Sequence, residues 1–435
     1  MLQTDWVEMK VCLVAHGPLL LGGGLPIGNV RISEPFVAGS VWRGAVARAM
    51  LERLGKRNHS GRPIADPQLP AAFTTVFSGQ TPAQFGFLYP VVGEREQPGD
   101  WVTTPIPLTA STCKRNPGFQ EQAGHGVYDG LLHRIRAVTA SAQETQMSTC
   151  PYPGCKERLE RMRGLASAPP AATQYREEKL GTRSLVRVGM NRYTETAQDQ
   201  MLYVQDVLEP GHEPDGQPKS LRFVGRWRGS AQQAQLFRAL LEEHLLPAEN
   251  GGFHLRIGTA RARGLGAVQL HLTPPQPFVA AARRAGIEER LAHFQPEQSG
   301  GEAGKAQLLY AALTLRSPMQ LLDGQGVSTT HLTEQLVRDY QPAAPPNLKV
   351  VLTFSVLEQE ISSGWSAAWG LPKPVAPALA AGSVLVLCAP VAERPTLLDF
   401  LTGLEQQGLG ERRAEGWGEL LVCDRFHVEY AERKA

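Results

Sequence analysis

Gly258-Thr-Ala-Arg261-Ala-Arg263-Gly264-Leu265-Gly266 and Gly410-Glu-Arg-Arg413-Ala-Glu-Gly416-Trp417-Gly418 decide how this chain is read. Both follow G-x-x-R-x-x-G-x-G, and they lie 152 residues apart. Each is preceded by an amphipathic helix and followed by a strand. The first helix is expected near Ser230–Leu246, where Phe237, Leu240, Leu241 and Leu245 recur at helical spacing and Ser230 is a suitable N-cap. The second is expected near Thr396–Gln406, with Leu397, Leu398, Leu401 and Leu404 on one face and Pro395 just before it. The strands that follow are Ala267–Leu272 and Glu419–Cys423. A dinucleotide fingerprint needs the strand first and the helix after, so this order excludes it.

Working outward, each copy opens on a strand-like run, Val7–Leu21 in the first and Ala306–Leu322 in the second. A strand at the start, with a helix and strand at the end, suits a βαββαβ ferredoxin-like unit. The expected fold is therefore α+β: two tandem ferredoxin-like (RRM-like) domains with glycine-rich loops. The first would span 1–275 and carry a loop-rich insertion near 112–170. A linker at 276–304 and a second domain at 305–435 would follow. Pro274-Pro275-Gln276-Pro277 and the polar stretch Glu297–Lys305 mark the break.

With 435 residues, 20% charged and 42% hydrophobic, the composition excludes collagen-like, disordered and coiled-coil chains. No run of about 18 apolar residues signals a membrane span. Met1 to Lys10, with Asp5 and Glu8, lacks a signal-peptide core, so a cytoplasmic protein is expected. The net charge of +2 conceals an asymmetry. Residues 1–275 hold 30 Lys/Arg against 24 Asp/Glu, whereas 276–435 hold 14 against 18. A polyanion is a candidate partner for the first part.

In the glycine loops, left-handed backbone and successive N–H groups can form an anion nest. Gly258, Gly264 and Gly266 would shape it, and Arg261 and Arg263 would supply charge. The second loop carries Arg412 and Arg413, but Glu411 and Glu415 cancel them, so the first loop is the nucleic-acid candidate. A helix beginning at Pro35–Gly44 offers a second anion site, with Ser40 as N-cap. Arg43 in its first turn opposes the helix dipole, which suggests an external anion, and Arg48 extends the basic face. Further basic candidates are Arg187 and Arg192 in an arm that enters a strand. Arg222, Arg226 and Arg228 alternate on another strand, opposite Phe223 and Trp227. Basic residues interleaved with aromatics suit single-stranded RNA.

Three of the six cysteines, Cys113, Cys150 and Cys155, fall in the insertion. Cys150-Pro-Tyr-Pro-Gly-Cys155 has the spacing of half a zinc site. The fourth ligand would be His125, in a turn that can be aimed, or His133. Four protein ligands make a structural zinc site, not a catalytic one. Cys12, Cys388 and Cys423 are expected as buried thiols.

Taken together, Pro35–Gly44, Thr112–Gly118, Leu185–Tyr203, Ile257–Gly266, Ser363–Val386 and Leu409–Glu419 resemble the RAMP superfamily of CRISPR type III effector complexes. The combination looks most like the type III-D subunit related to handle-capping subunits of other CRISPR complexes. The resemblance implies a non-catalytic subunit that holds the 5′ handle of the crRNA. It would join the large signalling subunit to the backbone subunits in antiviral defence, with target RNA nearby. The first loop, the helix start Gly39–Gly44 and the arm Arg187–Arg192 would touch RNA. The acidic second loop departs from a basic pattern and favours a protein interface. Some relatives are metal-independent endoribonucleases that process precursor crRNA with a His as general acid or base. His16 and His59 are the candidates here, while Asp129 and Asp199 lack the companions that two-metal cleavage needs.

Overall fold

Alternation in Trp6–Ala15 builds the first sheet: Val7, Met9, Val11 and Leu13 are buried on one face, and Glu8, Lys10, Cys12 and Val14 take the other. The computed structural model describes residues 5–22, 28–55, 69–92, 102–139, 147–169, 174–209, 220–296, 307–352, 357–366 and 371–431. Strand β1 (Trp6–Ala15) is followed by α1 (Gly39–Arg53), β2 (Tyr89–Val92), β3 (Leu221–Ser230), α2 (Ala231–His244) and β4 (Ala267–Leu272). The sheet order is β4–β1–β3–β2, antiparallel throughout. Met9 lies opposite Trp227 and Leu13 opposite Phe223, so the apolar residues of β1 and β3 share a face. Trp42 and Met50 of α1 and Phe237 and Leu241 of α2 close that core.

Helix α2 starts where its capping residues dictate. Ser230 Oγ accepts the Gln233 N–H at 3.1 Å, and the Gln233 side chain accepts the Ser230 N–H at 2.9 Å, a complete capping box.

The second half comprises α3 (Ala280–Phe294), β5 (Leu308–Leu315), α4 (Glu334–Tyr340), β6 (Lys349–Leu352), β7 (Val384–Pro390), α5 (Arg394–Gln407) and β8 (Leu420–Val422). Its sheet order is β8–β5–β7–β6, again antiparallel and in the same spatial sequence as the first. The molecule is thus a mixed α+β protein.

Two expectations need correction. Residues 276–304 are not simply a linker: Gln276–Pro277 adds to β1, with Val7 opposite Pro277, and α3 buries Ile287, Leu291 and Phe294 in the second core. Residues 297–304 lie outside the described residues. The insertion is also more ordered than a loop-rich segment. Its strands Ala110–Cys113, Val127–Asp129 and Leu159–Arg161 form a three-stranded sheet. Its helix Leu131–Thr139 sends Leu131, Leu132 and Ile135 into the core of the second half. The insertion therefore straps the two halves together. Cys388 and Cys423 are buried, whereas Cys12 is only partly so.

Candidate nucleic-acid interface and metal centre

The two glycine loops repeat position by position. Left-handed backbone occurs at Gly258 (φ +75°) and Gly410 (+90°), Ala260 (+54°) and Arg412 (+56°), Gly264 (+88°) and Gly416 (+79°), and Gly266 (+86°) and Gly418 (+72°). Each loop contains one short 3-10 turn, Arg261–Arg263 or Arg413–Glu415. Their anchors match: the Gly266 N–H donates to the Pro18 carbonyl at 3.0 Å and the Gly418 N–H to the Pro318 carbonyl at 2.8 Å. A Cβ at Gly266 would collide with the Ile257 carbonyl, and one at Gly418 with the Leu409 carbonyl. These last two glycines are thus required by a close backbone approach.

The surroundings of the loops differ. In the first, Ala262, Arg263 and Gly264 face solvent. Arg263 donates to the Tyr203 hydroxyl and stands 5.7 Å over its ring. Tyr203 belongs to a hairpin of Thr182–Met190 and Ala197–Leu208, in which Arg187 lies directly opposite it. Arg256 Nη1 donates to the Arg261 carbonyl at 2.9 Å. Hairpin and loop together line an open groove of about 530 Å³ that includes Arg187, Tyr203 and Arg263. Exposed Arg192 adjoins the hairpin turn. The fold therefore gathers Arg187, Tyr203 and Arg263, from distant parts of the sequence, at one groove.

The second loop is docked on the first half of its own chain. A Cβ at Gly416 would collide with the Phe85 carbonyl, and one at Gly39 with the carbonyls of Phe85 and Glu415. The Glu415 carboxylate receives Lys373 Nζ at 2.6 Å and Arg412 Nε at 3.0 Å, while the Arg412 guanidinium lies 4.2 Å over Trp417. Burial alone would raise the Glu415 pKa, but Arg412 and Lys373 hold it below the ordinary value.

This docking corrects the reading of the α1 start. Ser40 is not the N-cap: the helix begins at Gly39, Ala38 occupies the cap position, and no side chain caps it. Burial disfavours the Arg43 charge, and the Glu415 charge supports it. The Arg43 guanidinium donates to the Phe77 carbonyl and lies 5.9 Å from the centres of the Phe77 and Phe85 rings. Arg48 pairs with Glu52 one turn along the helix.

The alternation of Arg222, Arg226 and Arg228 on β3 is as expected, but their face is largely covered. Arg228 is only 7% exposed and reaches Glu8 at 2.9 Å and Glu419 at 3.5 Å, so it joins the halves. Arg226 lies 3.6 Å from Glu8, and Arg222 Nε donates to Ser220 Oγ at 2.9 Å. Burial alone would raise the Glu8 pKa, yet Arg226 and Arg228 hold it at about 2.

Cys113, His125, Cys150 and Cys155 come together, their ligand atoms all within 4.8 Å of one another, and could hold a metal ion. Cys113 Sγ and Cys155 Sγ are 3.8 Å apart, and Cys150 Sγ is 3.7 Å from His125 Nδ1. Tetrahedral zinc with Zn–S bonds of about 2.3 Å sets its sulfurs about 3.8 Å apart, so the donor set fits. The Asn116 side-chain amide sits 2.7 Å from His125 Nε2, and the Tyr152 ring stacks on the imidazole at 4.1 Å. Both contacts aim Nδ1 at the thiols. The turn position of His125 was a usable signal; His133 is outside the cluster.

His16 is exposed at the end of β1. His59 lies outside the described residues. Asp199 is exposed, whereas Asp129 is buried against His427, a partner 298 positions away that nothing local could reveal.

The model of the CRISPR-associated protein (Cas_Cmr3) family matches residues 32–424. The chain belongs to this CRISPR-associated family. No curated protein matches it. Among solved structures it is similar to a chain of the type III-B Cmr-beta complex bound to cognate target RNA and AMPPnP, at 10% identity over 87% of this chain and 86% of that one, with a TM-score of 0.38. A chain of a type IV-B CRISPR complex aligns at 13% identity over 61% and 90%, TM-score 0.23. A CRISPR-associated Cas6 protein aligns at 8% identity over 96% and 99%, TM-score 0.29. Among the described residues, no helix is long and apolar enough to cross a membrane.

Proposed function

We propose that this chain is a non-catalytic, RNA-binding subunit of a type III CRISPR effector complex, built from two tandem ferredoxin-like domains. In the finer reading it is III-D-like: it holds the 5′ handle of the crRNA and joins the large subunit to the backbone subunits in the cytoplasm. Family membership supports the CRISPR setting. The matching strand orders of the halves support the duplication. The observation that carries RNA binding is the divergence of the loops. The first keeps Arg263 at an open groove with Arg187 and Tyr203. In the second, Arg412 engages Glu415 and Ser362, and the loop is packed against α1. We assign zinc, as a structural ion, to Cys113, His125, Cys150 and Cys155.

Expression of the whole locus, capture of this subunit and sequencing of the bound RNA tests the proposal. Small RNAs sharing a constant 5′ end are expected. RNA-free protein that remains monomeric beside its complex partners would overturn it.

The second reading is a metal-independent endoribonuclease with His16, exposed at the end of β1, as its general acid or base. Incubating the chain with repeat RNA in EDTA separates the two. A discrete cut lost in His16→Ala would establish the enzyme, whereas intact RNA supports the binding subunit.

A further inference from the structure

The metal cluster lies beside a surface that the loop-and-groove site does not use. Residues that immediately follow the ligands are basic and exposed: Lys114 and Arg115 after Cys113, and Lys156 and Arg158 around the turn after Cys155. The fold binds these two segments together, because the Lys114 N–H donates to the Arg158 carbonyl at 3.1 Å and Cys113 pairs with Leu159 in the strand register. Glu160 engages only part of this charge, meeting Arg158 at 2.7 Å and Lys114 at 3.6 Å. Between the cysteines stands Tyr152, 42% exposed, its ring parallel to His125 within 9°. An aromatic ring stacked on the imidazole of a metal-ligating histidine, with exposed cations on the adjoining segments, is suited to stack an unpaired base while phosphates meet the cations.

We propose that this metal-held knuckle is a second contact for single-stranded RNA, with Tyr152 as the stacking platform and Arg115 and Lys156 as phosphate contacts. A protein partner would have less use for a lone stacked ring among cations, and duplex RNA would not offer an unstacked base to it. The inference depends on the knuckle being ordered. It does not depend on where the crRNA handle lies.

The probe is a fluorescein-labelled 12-nucleotide oligouridylate, titrated against the full chain with its metal content measured. Tyr152→Ala is expected to weaken binding about ten-fold. Arg115→Glu with Lys156→Glu is expected to reduce the slope of log affinity against log salt by about 1.4. Arg261→Ala with Arg263→Ala serves as the comparison at the groove. In wild type, a 4-thiouridine version of the oligonucleotide should crosslink to the peptide carrying Tyr152; this reading needs no variant to fold. Unchanged affinity in both knuckle variants with metal retained, or crosslinks confined to the groove, would overturn the proposal. So would a knuckle that is covered by a protein subunit in the assembled complex and never reaches RNA. Loss of handle RNA from the groove alone would instead count against the function proposed above.

Discussion

His427 Nδ1 lies 3.1 Å from Asp129 Oδ2, with both side chains completely buried and 298 positions between them in sequence. His427 Nε2 meets Thr314 Oγ1 at 2.8 Å, and the Leu131 N–H donates to Asp129 Oδ1 at 2.9 Å. The contact fastens the insertion to the second half. A Thr–His–Asp relay of this kind would suit nucleophilic catalysis, but no substrate can reach a threonine that is 2% exposed.

His427→Ala strands a buried carboxylate and should cost about 3 kcal/mol in chemical denaturation. Burial opposes charge on His427, but the Asp129 carboxylate and its hydrogen bond outweigh that, so the pKa is raised above 6.5. The stabilising contribution is complete below the unfolded value near 6.5 and fades as pH rises through the raised one. The stability gap between wild type and His427→Ala should therefore narrow from pH 6 to pH 9. A gap that stays constant would contradict this role.

Gly39 and Gly44 lie in the same helix and should respond in opposite directions. A Cβ at Gly39 meets the carbonyls of Phe85 and Glu415, whereas one at exposed Gly44 meets nothing within 4 Å. Gly39→Ala should lower the melting temperature by forcing the second loop off α1. Gly44→Ala should stabilise by about 1 kcal/mol through helix propensity alone.

Arg228→Ala should cost about 3 kcal/mol, because it leaves Glu8 and Glu419 short of a partner at a buried junction. Its affinity for single-stranded RNA should equal that of wild type. Glu8 adds an acid signature: with a pKa held at about 2, its contribution is present above about 4.5 and is lost as pH falls toward 2. Melting temperatures of wild type and Glu8→Gln should converge over that range.

Cys150→Ser should release the metal. Wild type should carry about one zinc per chain by elemental analysis, and the variant should show faster proteolysis within the insertion while the sheets persist. Wild-type protein free of zinc would remove the assignment.

The chain revealed its local structure well and its long-range covering poorly. The glycine repeat, the Ser230 cap and the cysteine cluster were legible because each is written in neighbouring residues. Helix α3 was hidden, although Ile287, Leu291 and Phe294 keep helical spacing, because the prolines before it read as a break. Arg228 was placed on the correct face of β3, but its face is covered by residues from the second half. Arg43 gave a true signal, a cation in want of an anion. The Glu415 charge that lends it support is 372 positions away.

The most direct test is the salt dependence of single-stranded RNA binding by wild type and by Arg261→Ala with Arg263→Ala. With two phosphate contacts removed, the slope of log affinity against log salt should fall by about 1.4, with weaker binding at every salt concentration. An unchanged slope and affinity would show that the first glycine loop does not hold RNA.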